Sequence, residues 1–513
     1  MTPSGANATI TAGSAGIPER ADLLVIGLGV TGAGVALDAA SRGLDVVAVD
    51  AFDAAWGTSR WSSKLVHGGL RYLAKGQVAI AHESAVERGI LMEITAPHLV
   101  HALPMVLPLT ADISRGQAWL ARRGVGAGDL LRLVAGTRRE TLPRPRRIGA
   151  TETRTLAPVT RHDVRGGILS WDGQLEDDAR LVLGLARTAA SLGARVHTRT
   201  RVVGATGTGA LLRDELTGEE RRIEARGVVN ATGVWADQLV EGITLRPSRG
   251  THLVVRKEAL PGVGCAIMAP VPGSPNRFVF ALPQPDATFY VGLTDEPVSG
   301  TVPDVPEPPE EDIAFLLSVI GTALEQPLTR ADVVGAYAGL RPLLHSNGST
   351  ADLSRRHAVL VSPTGVVTVV GGKLTTYRRM AEDAVDKVLA VSGTTAGPCR
   401  TRHLPLLGAG TRDELTRVDA PARLVRRFGT EAPLVVANAL AHGLSRREAL
   451  AAVSPTIPAT LAELLFGVTH EGAADVADLL DRRTRIGLIP TDRAVAAPLA
   501  RRALEVVGAA TAG

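Results

Sequence analysis

The stretch DLLVIGLGVTGAGVALDAASRGLDVVAVD, residues 22–50, constrains the fold more than any other part of the chain. Asp22 to Ile26 is a short apolar strand, GLGVTG a glycine loop, AGVALDAASRG a segment with helical spacing that stops at Gly43, and LDVVAVD a second strand ending on Asp50. In a strand–loop–helix–strand unit of about 30 residues, the three glycines have separate duties. Gly27 makes the tight turn, Gly29 lets the backbone approach a pyrophosphate, and Gly32 allows close helix–strand packing. The helix N-terminus offers free N–H groups to the phosphates, and Asp50 stands where a carboxylate accepts hydrogen bonds from ribose hydroxyls. A lone glycine pattern carries little weight in a chain with 55 glycines. Here strand, helix, Ala36 and the acidic strand end coincide, so the unit reads as a dinucleotide site, with NAD and FAD both open.

At 513 residues the chain has room for about three domains at roughly 150 residues each. With 45% apolar and 21% charged residues it is not disordered. A net charge of +4 without aromatic and basic interleaving argues against nucleic acid and leaves an anionic substrate or an acidic membrane surface open. Only five basic residues are lysines, Lys64, Lys75, Lys257, Lys373 and Lys387; codon bias toward arginine explains the scarcity. Cys265 and Cys399 have no ligand spacing, so no metal site is expected and a reducing cytoplasm is the default. The first 19 residues read as a flexible polar tail rather than a signal peptide, and the longest apolar stretch is too short for the ~20 residues of a membrane span.

Two later segments, VVNATGVWAD and VVTVVGGKLTTYRRMAEDAVDKVLAV, each run a strand into a turn and can complete the same nucleotide domain. The alternating stretches THLVVR, RFVFALP and TFYVGLT predict an antiparallel second domain. After Pro398 the pattern is helical, with breaks at Pro433, Pro455 and Pro458. The expected organisation is an α/β, Rossmann-like nucleotide domain (residues 20–100, 165–245 and 335–398). It is interleaved with a β-rich substrate domain (101–164 and 246–334) and followed by an all-α C-terminal domain (399–513).

The densest chemistry lies in GTSRWSSKLVHGGLRYL, residues 57–73, where hydroxyls, an imidazole and cations surround a Gly-Gly step. Composition alone allows a plain turn into an amphipathic helix. With GLGVTG, ERGILMEITAPHLV, WDGQLEDDARL, NATGVWAD, SRGTHLVV, VGLTDEP, AGLRPL, SRRH and GGKLTTYRRMAEDAVD in this order over about residues 20 to 395, however, the chain resembles the FAD-dependent glycerol-3-phosphate dehydrogenase family of the aerobic, quinone-linked type. DLLDRRTRIGL resembles that family's C-terminal domain more loosely.

The resemblance implies a D-amino-acid-oxidase-like fold, a noncovalent FAD, oxidation of sn-glycerol 3-phosphate to dihydroxyacetone phosphate, and electron delivery to a membrane quinone. Arg71 and Arg341 match the positions that bind substrate phosphate, where forked guanidinium donors suit a dianion. His252 and His67 are the candidate bases for the carbon 2 hydroxyl; His252 is favoured, with His67 a substrate contact. Lys373 matches an active-site lysine whose charge stabilises a developing alkoxide or reduced flavin. Thr375 or Thr376 contacts flavin or substrate, and Tyr72 bonds substrate or packs. The expected cofactor contacts are Gly27, Gly29, Gly32, Asp50, Thr58, Ser62, Ser63, Lys64, Gly68, Gly233, Gly371, Gly372, Lys373, Leu374 and Thr375. Ser62, Ser63 and Lys64 belong near the pyrophosphate or flavin ring. Two positions depart from the family: Asp50 replaces its usual Glu and Trp171 its common Tyr.

The arginines Arg122, Arg123, Arg138, Arg139, Arg144, Arg146 and Arg147 either meet anionic lipid or are solvated. The expected location is peripheral, at the inner face of the plasma membrane. An oxygen-using glycerol-3-phosphate oxidase and an amino-acid or amine oxidase of the same superfamily are the rival enzymes, and the oligomeric state, a homodimer included, stays open.

Overall fold

The structure, a computed structural model, describes residues 8–69, 72, 76–274, 277–344 and 357–511, with backbone alone at 115, 117–122 and 509–511. Its first sheet grows from the fully apolar end of the strand Arg20–Ile26. Val46–Val49 lies parallel on one side, with Leu23 opposite Val46, and Glu220–Asn230 lies parallel on the other, with Asn230 opposite Ile26. Val367–Val370 adds a further parallel strand. Burial on both faces explains the unbroken Val/Ala/Leu runs in these strands. The helix Val30–Ser41 covers one face together with Asp178–Ser191 and Tyr377–Ser392. Gly34 permits that packing: a Cβ there would lie 2.9 Å from the Tyr377 ring.

The second sheet has ten strands and is antiparallel except where Ala266–Pro270 meets Val100–Pro108. Ser248–Arg256, Phe278–Pro283 and Thr288–Gly292 are the three strands the alternating pattern predicts. Apolar residues of this sheet close against the helix Glu310–Gly321.

The C-terminal domain is helical apart from the hairpin Ala452–Ser454 with Ile457–Thr460. Pro455 and Pro458 fall in that hairpin, whereas Pro433 opens the helix Ala432–Ala441, where a missing N–H costs nothing.

Three expectations change. The N-terminal segment is not a free tail throughout: Thr11–Ala12 pairs in parallel with Arg195–Thr198, and Ile10 is buried in the core of the first sheet. The sheet edge supplies partners for its backbone and the core takes its side chain. Gly167–Leu175 and Val333–Arg341, expected in the nucleotide domain (the second of them from Gly335 on), belong to the second sheet. Each is matched residue by residue to a long antiparallel neighbour, Val100–Pro108 and Ser248–Arg256 respectively, and those ladders outweigh proximity in sequence.

Candidate active site

A cavity of about 1930 Å3 is lined from both sheets. Its nucleotide end is built by the glycine turn. Gly27 has φ +99°, and a Cβ there would lie 2.7 Å from the Ala231 carbonyl oxygen; a Cβ on Gly32 would collide with the carbonyl of Gly27. Gly29 stands at the N-cap of the helix Val30–Ser41 with no side chain to cap it, leaving the helix start open to an anion, while Val30 N–H donates to Ser59 Oγ at 2.8 Å. Asp50 accepts from Leu28 N at 2.7 Å and from Phe52 N at 2.9 Å, which ties the strand end to the turn. Burial pushes its carboxyl up to about 6 against those two bonds. Cradle, helix terminus, carboxylate and volume together fit a dinucleotide.

Thr58, Ser62, Ser63, Gly233, Gly371, Gly372, Lys373, Leu374 and Thr375 line the same cavity. Gly233, Gly371 and Gly372 all take positive φ, so each turn needs its glycine. Thr58 Oγ1 donates to the Leu340 carbonyl at 2.5 Å. Thr376 is buried outside the lining and its hydroxyl donates back to the Lys373 carbonyl.

At the other end of this wall, His252 Nε2 lies 2.8 Å from Ser63 Oγ. The ring stacks on Tyr337 with centroids 4.8 Å apart, and Nδ1 is buried without a hydrogen-bond partner. Burial, then the charges of Lys64 and Arg341, hold the imidazole well below its ordinary value. Arg341 is oriented by Asp295 at 3.1 Å, by Ser248 Oγ at 3.3 Å and by the Thr294 carbonyl at 3.2 Å. The Lys373 ammonium donates to Ser84 Oγ at 2.5 Å and lies 3.8 Å from the Tyr72 ring centroid. His67 also lines the cavity and stacks on Tyr72.

Three expected cofactor contacts lie outside the lining; the first, Gly32, packs instead against the Gly27 carbonyl. Lys64 is fully buried behind the wall, where its ammonium donates to the carbonyls of Arg60 and Ser62 and to Asp178 Oδ2 at 2.8 Å. A carboxylate inside the protein offered it a stronger partner than a phosphate across the cavity. Gly68 is outside the lining: its N–H donates to Asp172, and Arg88, bound to the same carboxylate, lies so close that a Cβ there would meet its guanidinium. Arg71 lies outside the described residues, as do Ser354 to Arg356 of the SRRH motif; His357 of that motif bonds Asp383 at 2.7 Å. Sequence reading missed Tyr337, whose hydroxyl donates to the Ser62 carbonyl, and the carboxylates Asp172, Asp178 and Asp295. Asp295 stands in VGLTDEP and Asp172 and Asp178 in WDGQLEDDARL, so the motifs contained them without showing what they hold. No group of metal-ligating side chains occurs among the described residues.

Residues 22–378 match the family described as FAD dependent oxidoreductase, and residues 399–510 match the C-terminal domain of alpha-glycerophosphate oxidase. Glycerol-3-phosphate dehydrogenase 1 of Mycobacterium tuberculosis is 51% identical over 481 residues, 92% of each chain. Glycerol-3-phosphate dehydrogenase 2 of the same species is 35% identical over 514 residues, covering 95% of this chain and 84% of that protein. The glycerol-3-phosphate dehydrogenase from Bacillus halodurans, solved in complex with FAD, superposes with a TM-score of 0.69 at 27% identity, over 95% of this chain and 89% of that one. With the glycine cradle and the two-sheet cavity, these matches make the chain a member of the FAD-dependent oxidoreductases and, within them, of the glycerol-3-phosphate dehydrogenase family.

Proposed function

We propose that the protein oxidises sn-glycerol 3-phosphate at carbon 2 to dihydroxyacetone phosphate and passes the electrons to a membrane quinone. FAD, when bound, supplies the acceptor for the hydride. The observation that carries this reading is that His252, Arg341 and Lys373 face one cavity with the glycine turn. His252 is neutral at physiological pH, and its Nε2, which bonds Ser63 Oγ, takes the carbon 2 hydroxyl proton once the substrate hydroxyl displaces Ser63 from that nitrogen. Arg341, fixed from behind by Asp295 and Ser248, presents a forked cation to the phosphate, with Arg71 and Tyr72 as further substrate contacts. Lys373 sets a positive charge where negative charge develops, and His67 and Thr375 border the substrate.

The quinone is supported by apolar side chains in the lining, where Leu107, Ile113, Ile168, Met268 and Phe278 cluster and Phe280 packs on Phe278. An anionic lipid surface is supported by Arg123, Arg138, Arg139, Arg144, Arg146 and Arg147, all exposed, and by exposed Leu130, Leu133 and Val134 on the helix Arg115–Val134; the Arg122 side chain lies outside the described residues. No helix among the described residues is long and apolar enough to cross a membrane.

Anaerobic addition of glycerol 3-phosphate to the purified flavoprotein bleaches the flavin absorption, whereas amino acids do not; absence of bleaching refutes the substrate. Reduction of a soluble quinone analogue without matching hydrogen peroxide supports the quinone, and stoichiometric peroxide makes the enzyme an oxidase.

A further inference from the structure

The loop after the second strand of the nucleotide unit furnishes Phe52, Trp56, Thr58, Ser59 and Trp61 to the cavity wall. On its far side it carries Asp53, fully buried. Both partners of that carboxylate come from the C-terminal domain. Arg482 Nε and Arg483 Nη1 donate to Asp53 Oδ2, and Arg483 Nη2 donates to Oδ1 at 2.9 Å. The Arg482 guanidinium also lies 4.8 Å from the Trp56 ring centroid and donates to Asp478. Trp56 in turn stacks on Phe52, with centroids 4.7 Å apart. Leu479 and Leu480, in the same turn of chain as the two arginines, are embedded in the C-terminal core. Burial by itself would raise the Asp53 carboxyl, but Arg483 and Arg482 bring it down to about 2.

A buried carboxylate stays ionised only while its cations are in place. Undocking the C-terminal domain would strip Asp53 of both cations, and a ligand that needs the loop's shape would then favour docking in return. We propose that the C-terminal domain is a working part of the FAD site. Through Arg482 and Arg483 it grips Asp53 and fixes the loop beside Asp50, so that FAD retention and docking of this domain are coupled. Asp53, Arg482 and Arg483 act as positioning residues. The inference rests on the assignment of the glycine turn and Asp50 to FAD.

The test compares two variants by FAD titration of the apoprotein, well below the melting temperature. Arg483→Met loosens the grip on Asp53. Glu431→Gln breaks another pair across the same domain boundary, with Arg187 at 2.7 Å, away from the loop. The expected result is a Kd for FAD at least tenfold higher in Arg483→Met and less than twofold higher in Glu431→Gln, though both melt earlier. Equal shifts, or an Arg483→Met Kd within twofold of the parent, overturn the proposal. If Arg483→Met does not fold, hydrogen exchange on the unaltered protein decides. FAD should slow exchange in 51–61 and in 478–485 together, and protection confined to 51–61 overturns the coupling. Failure of the unaltered apoprotein to take up FAD would instead refute the assignment of the site.

Discussion

Ser63 Oγ and His252 Nε2 are 2.8 Å apart, although Ser63 lies in a loop and His252 in the strand Ser248–Arg256, 189 positions along the chain. Tyr337 stacks on the imidazole and donates to the carbonyl of Ser62, the residue before Ser63. The imidazole proposed as the base is thus held by the Tyr337 ring and the Ser63 hydroxyl before substrate arrives. Such preorganisation removes part of the reorientation a proton transfer would otherwise need.

Replacing the base tests its role directly. His252→Gln is expected to lower kcat by about 10^2 to 10^4 while FAD content stays that of the parent. Because burial, Lys64 and Arg341 hold the imidazole well below its ordinary value, protonation of His252 sets in only below about pH 6.5. The acid limb of kcat/KM should lie there, and a limb assigned to His252 above pH 7 would contradict the structure.

Phosphate recognition is expected to depend on the fork and the place of Arg341. Arg341→Lys should raise KM for glycerol 3-phosphate about tenfold or more, with a smaller change in kcat. Gly250→Ala should act in the same direction without touching the charge, since the new Cβ would meet Arg341 Nη2. Steady-state kinetics on both variants, with bound FAD measured in parallel, checks this.

FAD affinity should depend on pH through Asp50. Without FAD its carboxyl is pushed up to about 6, and ribose hydroxyls donate best to the ionised form. Affinity is therefore full above pH 6 and weakens as pH falls through it, at most about tenfold per pH unit. The apoprotein's own stability responds the other way: a raised carboxyl favours the folded state below its unfolded value of 3.8, and that contribution is lost as pH rises to about 6. Asp50→Asn should flatten both dependences, as read by FAD titration between pH 5 and pH 8 and by thermal melting of the apoprotein between about pH 4 and pH 7.

Lys64→Met leaves the buried Asp178 carboxylate without its cation, which should cost about 3–5 kcal/mol of stability. Lys64→Met combined with Asp178→Leu should recover part of that loss. Equilibrium denaturation of the parent and of both variants provides the measurement.

The sequence by itself determined the local units. The turn GLGVTG, the strand ending on Asp50, the GGK turn and the alternating strands of the second sheet depend on periodicity and glycine geometry within a few residues, and all form where the pattern places them. Local glycine geometry brought Gly27 and Gly29 into the reading and the family resemblance brought His252, Arg341 and Lys373; the fold sets all five around one cavity.

Tertiary structure decided what those residues lean on. Lys64 sits in a motif suited to phosphate contact, yet Asp178, 114 positions away, draws it into the interior. Val333–Arg341 follows a helix and a loop as a nucleotide-domain strand could, but Ser248–Arg256 offers it a full antiparallel ladder. Asp53 reads as one more polar loop residue until the fold brings it Arg482 and Arg483, the first of them 429 positions away. The physical reason is common to all three. Helix and strand periods and turn geometry are properties of neighbouring residues, whereas a buried charge or an open sheet edge is satisfied by whichever partner the completed fold delivers.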